Sequence, residues 1–173
     1  PRTEKVYEGI ALCKENGVEF ILAVGGGSVI DCSKAIAVGA RTDRDFWQAF
    51  FVNWEKAEDA IPLGTILTIP ATGSEMDRSS VITNWATGEK NGYDSDLTYP
   101  KFSILDPTLT YTLPKNQMVN GIVDTLSHIW ELYFSDSIMT DGKYEVTGEF
   151  LEWAEENSHI LRNAKMIGGM PDR

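Results

Sequence analysis

An aspartate and a histidine stand four residues apart in an otherwise apolar run, GIVDTLSHIWELYF, at positions 121–134. On a helix, Asp124 and His128 lie on the same side, one turn apart. Three interpretations are open for such a pair. It is a buried ion pair that positions the helix, a general acid–base pair, or two ligands of a divalent metal ion.

A glycine-rich turn, Gly25-Gly26-Gly27-Ser28, follows the apolar run 19–24 and leads into a helical pattern at 29–40. Glycines let the backbone approach a diphosphate, and the free N–H groups of a helix N-terminus favour an anion. Ser28 is expected to cap that helix. The spacing is not the ordinary G-x-G-x-x-G fingerprint, so a tight turn without a ligand is the alternative.

A second loop, TIPATGSEMD at 68–77, carries Thr68, Thr72, Gly73 and Ser74 after another apolar run. Hydroxyl side chains and a glycine supply neutral donors for phosphate or ribose oxygens. Taken alone, the loop is more typical of an ordinary turn than of a binding site. Ligands of parallel α/β sheets bind at the carboxyl ends of strands, so both loops are expected to meet at one edge.

The order of the predicted elements indicates an α/β fold with a parallel sheet, a partial doubly wound domain that is followed by an all-helical segment. We predict a nucleotide-binding domain at 1–110 and a helical segment at 111–173. The stretch 41–61 is expected to be a surface helix or loop that packs on the fold, and 87–95 a turn. The predicted helices are 3–16 (ended by Gly17), 29–40, 115–134 and 145–165, and the predicted strands are 19–24, 64–69, 79–85 and 101–106.

Composition narrows the class of protein. The chain has 173 residues, 42% of them hydrophobic, and a formal net charge of −11, which disfavours nucleic-acid binding. Its apolar runs are shorter than the roughly 18 residues that cross a bilayer, and its start lacks a signal-peptide core, so a cytoplasmic protein without membrane contact is expected. Cys13 and Cys32 are predicted to be reduced packing residues.

Four segments together resemble the iron-containing (group III) alcohol dehydrogenases, in particular the butanol dehydrogenase and aldehyde reductase branch. They are PRTEKVYEGIALCKENGVEFILAVGGGSVIDCSKAIA, TIPATGSE, SILDPTLTYTLP and NGIVDTLSHIWELYF. The resemblance implies that a metal activates a primary alcohol or aldehyde while a hydride passes to or from NAD or NADP. It also implies that Asp124 and His128 are the first two of four ligands of Fe(II) or Zn(II). The cofactor-binding residues that it implies are Gly25, Gly26, Gly27, Ser28, Asp31, Thr68, Thr72, Gly73, Ser74 and Lys90.

The sequence also departs from the family pattern. The chain has two histidines, and His159 stands in a polar stretch that is more typical of a solvated surface than of a ligand. The first strands of the nucleotide domain are expected to be missing, so the chain reads as a fragment or a shortened relative. Two alternatives to the alcohol dehydrogenase therefore stand: a nucleotide-binding remnant without turnover, and a sibling of the glycerol dehydrogenase or dehydroquinate synthase type. A homodimer is one assembly that the resemblance allows.

Overall fold

The computed structural model describes residues 1–134. The chain divides into two units, Pro1–Leu113 and Pro114–Arg173, and each is considered by itself. The helices are α1 (Thr3–Asn16), α2 (Gly27–Gly39) and α3 (Lys115–Phe134), and the strands are β1 (Ile21–Gly25), β2 (Leu63–Leu67), β3 (Ser79–Asn84), β4 (Glu89–Asp94) and β5 (Ser103–Ile104). The predicted end of the first helix is confirmed: Gly17 follows α1 with φ of 59°, in the left-handed region that glycine adopts at little cost.

A three-stranded parallel sheet in the order β1-β2-β5 forms the centre of the first unit. In the register of β1 and β2, Ile21 pairs with Leu63 and Gly25 with Leu67, so both strands end at the same level. The predicted α/β class is confirmed. The strand predicted at 101–106 is much shorter than expected, since only Ser103 and Ile104 pair with β2.

The two faces of this sheet differ. On one face Ala23, Ile30 and Leu67 form a buried cluster between the sheet and α2. On the other face Leu22 and Val24 are 49% and 52% exposed. The continuous apolar run 19–24 is typical of a strand that is buried on both faces, but β1 is buried on one face only. Side chains alternate along a strand, and α2 covers only one set of them.

An antiparallel hairpin of β3 and β4 packs against α2, with Ser80 opposite Tyr93. The turn predicted over 87–95 is wrong for most of its length, since β4 occupies Glu89–Asp94. Its register buries Tyr93, whose hydroxyl donates to the Glu55 carbonyl at 3.0 Å. Tertiary contacts thus make a strand of residues with weak intrinsic preference for one.

The aromatic stretch after α2 contains a π-helical segment, Trp47–Val52. The expected packing of this stretch on the fold is confirmed, but its aromatic residues are not at the surface: Phe46, Trp47, Phe50 and Phe51 are all buried. They form one cluster with side chains of α1, α2 and the hairpin, including Val6 and Ile82. Burying several aromatic rings in one place stabilises the junction of these elements.

Both cysteines are unpaired, as predicted. Burial raises the pKa of the Cys13 and Cys32 thiols, so they stay protonated near neutral pH. Uncharged thiols among apolar neighbours behave as small packing groups.

In the second unit, the predicted helix 115–134 is confirmed as α3. The predicted helix 145–165 and His159 lie outside the described residues. Over the part of the chain that is described, no helix has the length and apolar character needed to cross a membrane.

Candidate cofactor site

The glycine-rich turn and the loop after β2 meet at the carboxyl edge of the parallel sheet. Gly25 is the last residue of β1, and its carbonyl accepts a hydrogen bond from the Thr68 N–H at 3.0 Å. Because β1 and β2 end in register, the two loops begin side by side. The predicted juxtaposition of residues 25–28 with residues 68–74 is thus present in the structure.

The glycines of the turn are in contact with this second loop. A Cβ atom on Gly26 would collide with the Ile69 side chain, and one on Gly27 would collide with Thr72. Glycine is therefore required here by the packing of one loop on the other, whether or not a ligand is bound. Sequence reasoning missed this cause, because Ile69 and Thr72 are distant from the turn in the chain.

The N-terminus of α2 has no side-chain cap. Its N-cap residue is Gly26, no side chain accepts a hydrogen bond there, and the first turn contains no acidic residue. The expectation that Ser28 caps the helix is wrong: Ser28 lies inside the first turn and is exposed. The uncapped N–H groups and the helix dipole make this end of α2 favourable for an anion.

The second loop turns sharply at its own glycine. Gly73 has φ of 72°, and its carbonyl accepts from the Met76 N–H at 2.8 Å. The Thr72 hydroxyl oxygen accepts from the Ser74 N–H at 3.2 Å. Thr72 is exposed, whereas Ser74 is buried. Of these two residues, only Thr72 is exposed.

Two side chains of α2, Asp31 and Lys34, bind the segment that follows Gly73. The Asp31 carboxylate accepts from the Ser74 hydroxyl at 2.6 Å and from the Val81 N–H at 2.9 Å. Lys34 is completely buried, and its ammonium donates to oxygen atoms of Ser74, Asp77 and Ser79. Sequence reasoning missed Lys34, although a lysine within the apolar pattern of α2 was a signal of a buried charge with partners.

Lys90, the remaining predicted cofactor residue, lies apart from this group. It is on β4, opposite Thr83 in the hairpin rather than in the parallel sheet, and it is exposed. Its role in binding the cofactor stays a prediction.

The Asp124–His128 pair lies on α3 in the second unit. Asp124 Oδ2 and His128 Nε2 are 3.8 Å apart, and both side chains are more than half exposed. Of the three interpretations, a buried ion pair does not fit these exposures over the described residues. Two donors one helical turn apart suit a shared ion, but the side chains that the structure describes include no group of three or more His, Cys, Asp or Glu that could hold a metal. Protein metal sites ordinarily need three or four ligands, so these residues do not complete one.

Comparison with known proteins identifies the family. The family model of the iron-containing alcohol dehydrogenases matches residues 1–107. The chain belongs to the iron-containing alcohol dehydrogenase family. Within this family it is 56% identical over 134 residues to the probable NADH-dependent butanol dehydrogenase 1 of Bacillus subtilis, a match that covers 78% of this chain and 34% of that protein.

More distant members of the family also match. The NADPH-dependent aldehyde reductase of Escherichia coli is 41% identical over 140 residues, which cover 80% of this chain and 36% of that protein. The crystal structure of the NADH-dependent butanol dehydrogenase A of Thermotoga maritima superimposes with a TM-score of 0.77 at 45% identity, covering 90% of this chain and 37% of the other. The chain thus spans about a third of the length of these family members.

Proposed function

We propose that this chain carries the dinucleotide site of an oxidoreductase that transfers a hydride between NAD(P)(H) and a primary alcohol or aldehyde. The observation that carries the proposal is the pairing of an uncapped helix N-terminus with a hydroxyl-bearing loop at one sheet edge, in a chain of this family. Strand ends of parallel sheets are where dinucleotides bind. Relatives that use NADH and NADPH support the cofactor class, and their names support the substrate class.

The residues at this edge divide into two groups. The exposed Ser28 and Thr72, with the N–H groups of the first turn of α2, are placed to bind the diphosphate. Gly25, Gly26, Gly27, Thr68 and Gly73 give the two loops their shape, and Asp31 and Ser74 hold the second loop through their mutual hydrogen bond. Lys90 remains part of the proposal as an exposed cation for the nucleotide. When bound, the nicotinamide supplies the hydride chemistry itself.

The proposed metal is iron, as the family description states, and that description gives no support to zinc. Asp124 and His128 are proposed as two of its ligands. Because the described residues provide no third ligand, we derive no catalytic step of this chain through a metal. The homodimer and the cytoplasmic location likewise stay predictions.

A second candidate is a nucleotide-binding remnant without turnover. It needs only the arrangement of the loop and the helix N-terminus at the sheet edge, which the described residues provide. A glycerol-dehydrogenase-like sibling is less well supported, since several curated relatives are named butanol dehydrogenases. Nucleotide binding is common to all of these candidates, whereas aldehyde reduction distinguishes the leading one.

The test separates binding from turnover. NADH and NADPH affinities are measured by fluorescence titration, and butanal-dependent NADH or NADPH oxidation is then followed in the presence of Fe(II). Binding together with oxidation supports the dehydrogenase. Binding without oxidation supports the remnant, and absence of binding contradicts the dinucleotide site itself.

A negative charge added at the N-terminus of α2 tests whether the diphosphate binds there. Ser28→Asp places a carboxylate in the first turn of α2, where it stabilises the helix dipole but repels a phosphate. We expect the NADH dissociation constant to rise about tenfold, an effect of about 1.4 kcal/mol, without loss of thermal stability. Ser28→Asn is the matched neutral control, which keeps a polar side chain without a charge, and it is expected to weaken binding much less than Ser28→Asp. Equal affinity of the two variants would place the diphosphate elsewhere.

A further inference from the structure

Lys34 has an unusual position for a charged residue. It lies in the middle of α2, and its side chain is 0% exposed. Removing an ammonium group from water is costly unless other groups replace its hydration shell. The contacts of Lys34 therefore show which segment of the chain α2 binds.

Every hydrogen bond of the Lys34 ammonium described here goes to one short segment, residues 74–79. Nζ donates to the Ser74 carbonyl at 2.7 Å and to the Ser74 hydroxyl at 3.0 Å. It also donates to the carbonyl and the carboxylate of Asp77 at 2.8 and 2.7 Å, and to the Ser79 carbonyl at 2.9 Å. The three N–H donors of the Lys34 ammonium are thus shared among five acceptor atoms of Ser74, Asp77 and Ser79.

Asp31, one turn earlier on α2, binds the chain at Ser74 and at Val81, on either side of Asp77 and Ser79. Its carboxylate binds the Ser74 hydroxyl, and it also accepts the N–H of Val81 in β3. The Ser74 hydroxyl therefore lies between the Asp31 carboxylate and the Lys34 ammonium. Helix α2 begins at the glycine turn, where its N-terminus is proposed to bind the diphosphate. The same helix also holds Ser74, whose N–H donates to the Thr72 hydroxyl, and so it determines the position of Thr72 and Gly73.

We infer that Lys34 is a positioning residue of the dinucleotide site, setting the height of the Thr72–Ser74 loop above the glycine turn. The inference rests on the proposed function. It does not place Lys34 in contact with the nucleotide, since the ammonium is buried and its donors are used within the chain. Its effect on affinity passes through the loop.

The test replaces the buried charge with a side chain of similar length, Lys34→Met, in the full 173-residue chain. We expect the dissociation constants of NADH and NADPH to rise about tenfold. Amide hydrogen exchange over residues 72–79 is expected to accelerate, because the segment loses its shared donor. Val6→Ala is the control: Val6 is buried in α1, and its core cluster contains no residue of the loop, so the substitution is expected to lower stability without a change of affinity.

Each outcome has a defined meaning. The inference is supported if Lys34→Met binds the nucleotide more weakly while an equally destabilised Val6→Ala binds it as the wild type does. It is overturned if Lys34→Met has the same affinity and the same loop exchange as the wild type. If Lys34→Met does not fold, Asp77→Ala decides, because it removes one acceptor and leaves the ammonium its other partners; about a threefold rise in the dissociation constant is expected. If the wild type binds neither nucleotide, the proposed function fails, and loop exchange alone decides the role of Lys34.

Discussion

Substitution of Gly27 tests whether the glycine turn is built for packing between loops. A Cβ atom on this residue would lie 2.6 Å from Thr72 Cγ2 and 3.0 Å from Thr72 Cβ, and it would collide with the hydroxyl oxygen as well. Such distances force the loop to shift. We therefore expect Gly27→Ala to destabilise the chain even when no nucleotide is present.

The magnitude follows from two opposing effects. Overpacking in a tight site costs about 1–3 kcal/mol. Replacing glycine by alanine at a helical position restores about 0.4–1 kcal/mol, because the unfolded chain has fewer conformations to lose. The expected net loss in the free energy of unfolding is about 1–2 kcal/mol. Gly92→Ala is the matched control, since a Cβ atom there has its nearest neighbours at 3.9 Å.

The assay is urea denaturation of the apo protein, with the double variant Gly27→Ala/Thr72→Ala completing a cycle. Thr72→Ala removes the two colliding atoms, so the cost of the Gly27 substitution should fall by at least about 1 kcal/mol in that background. Additive effects of the two substitutions would refute direct contact. Full stability of Gly27→Ala, combined with lost NADH affinity, would show that the glycine serves only the ligand.

Two further predictions concern the pH dependence of stability and the metal ligands. Burial and a hydrogen bond to Asp45, at 2.6 Å, raise the pKa of Tyr7 above its usual value, so the unfolded chain loses this proton first as the pH rises. In urea denaturation, the wild type should then exceed Tyr7→Phe in the free energy of unfolding by about 1 kcal/mol near pH 8. This difference should shrink above about pH 10, and a difference that stays constant with pH would contradict the raised pKa of Tyr7. For the metal, His128→Ala should lower the iron retained after anaerobic loading and desalting, measured by elemental analysis, while Ser127→Ala should not; equal iron in both would exclude His128 as a ligand.

The helices and strands that depend on local sequence patterns were predicted correctly. Helix α1 and its end at Gly17 follow from helical periodicity and a left-handed glycine, and β1 with α2 follows from an apolar run before a glycine turn. Strand β4 was missed because its residues have weak strand preference and depend on pairing with β3. The burial of the aromatic segment 46–51 was missed because composition does not say which elements will cover it.

For the candidate site, the strand ends predicted which loops meet, but not how they are joined. The joining contacts link residues more than forty positions apart, such as Lys34 with Asp77, and Asp31 with Ser74. A motif records the residue types at each loop, whereas these contacts depend on the register of β1 with β2 and on the placement of α2. That is why Ser74, predicted as a ligand contact, is found between two side chains of the helix.

The packing of the two loops also limits how the turn can be probed. The space beside Gly26 is filled by Ile69 and that beside Gly27 by Thr72, so the nucleotide of the proposed site would have to approach from the open end of α2, where Ser28 is exposed. A bulky residue at Gly26 would displace Ile69 before it met any phosphate. Loss of nucleotide affinity in such a variant would not identify a phosphate contact, because the loop itself would have moved. A charge at Ser28 changes the potential at that open end while the glycine contacts stay in place, and it is therefore the more direct probe of the diphosphate.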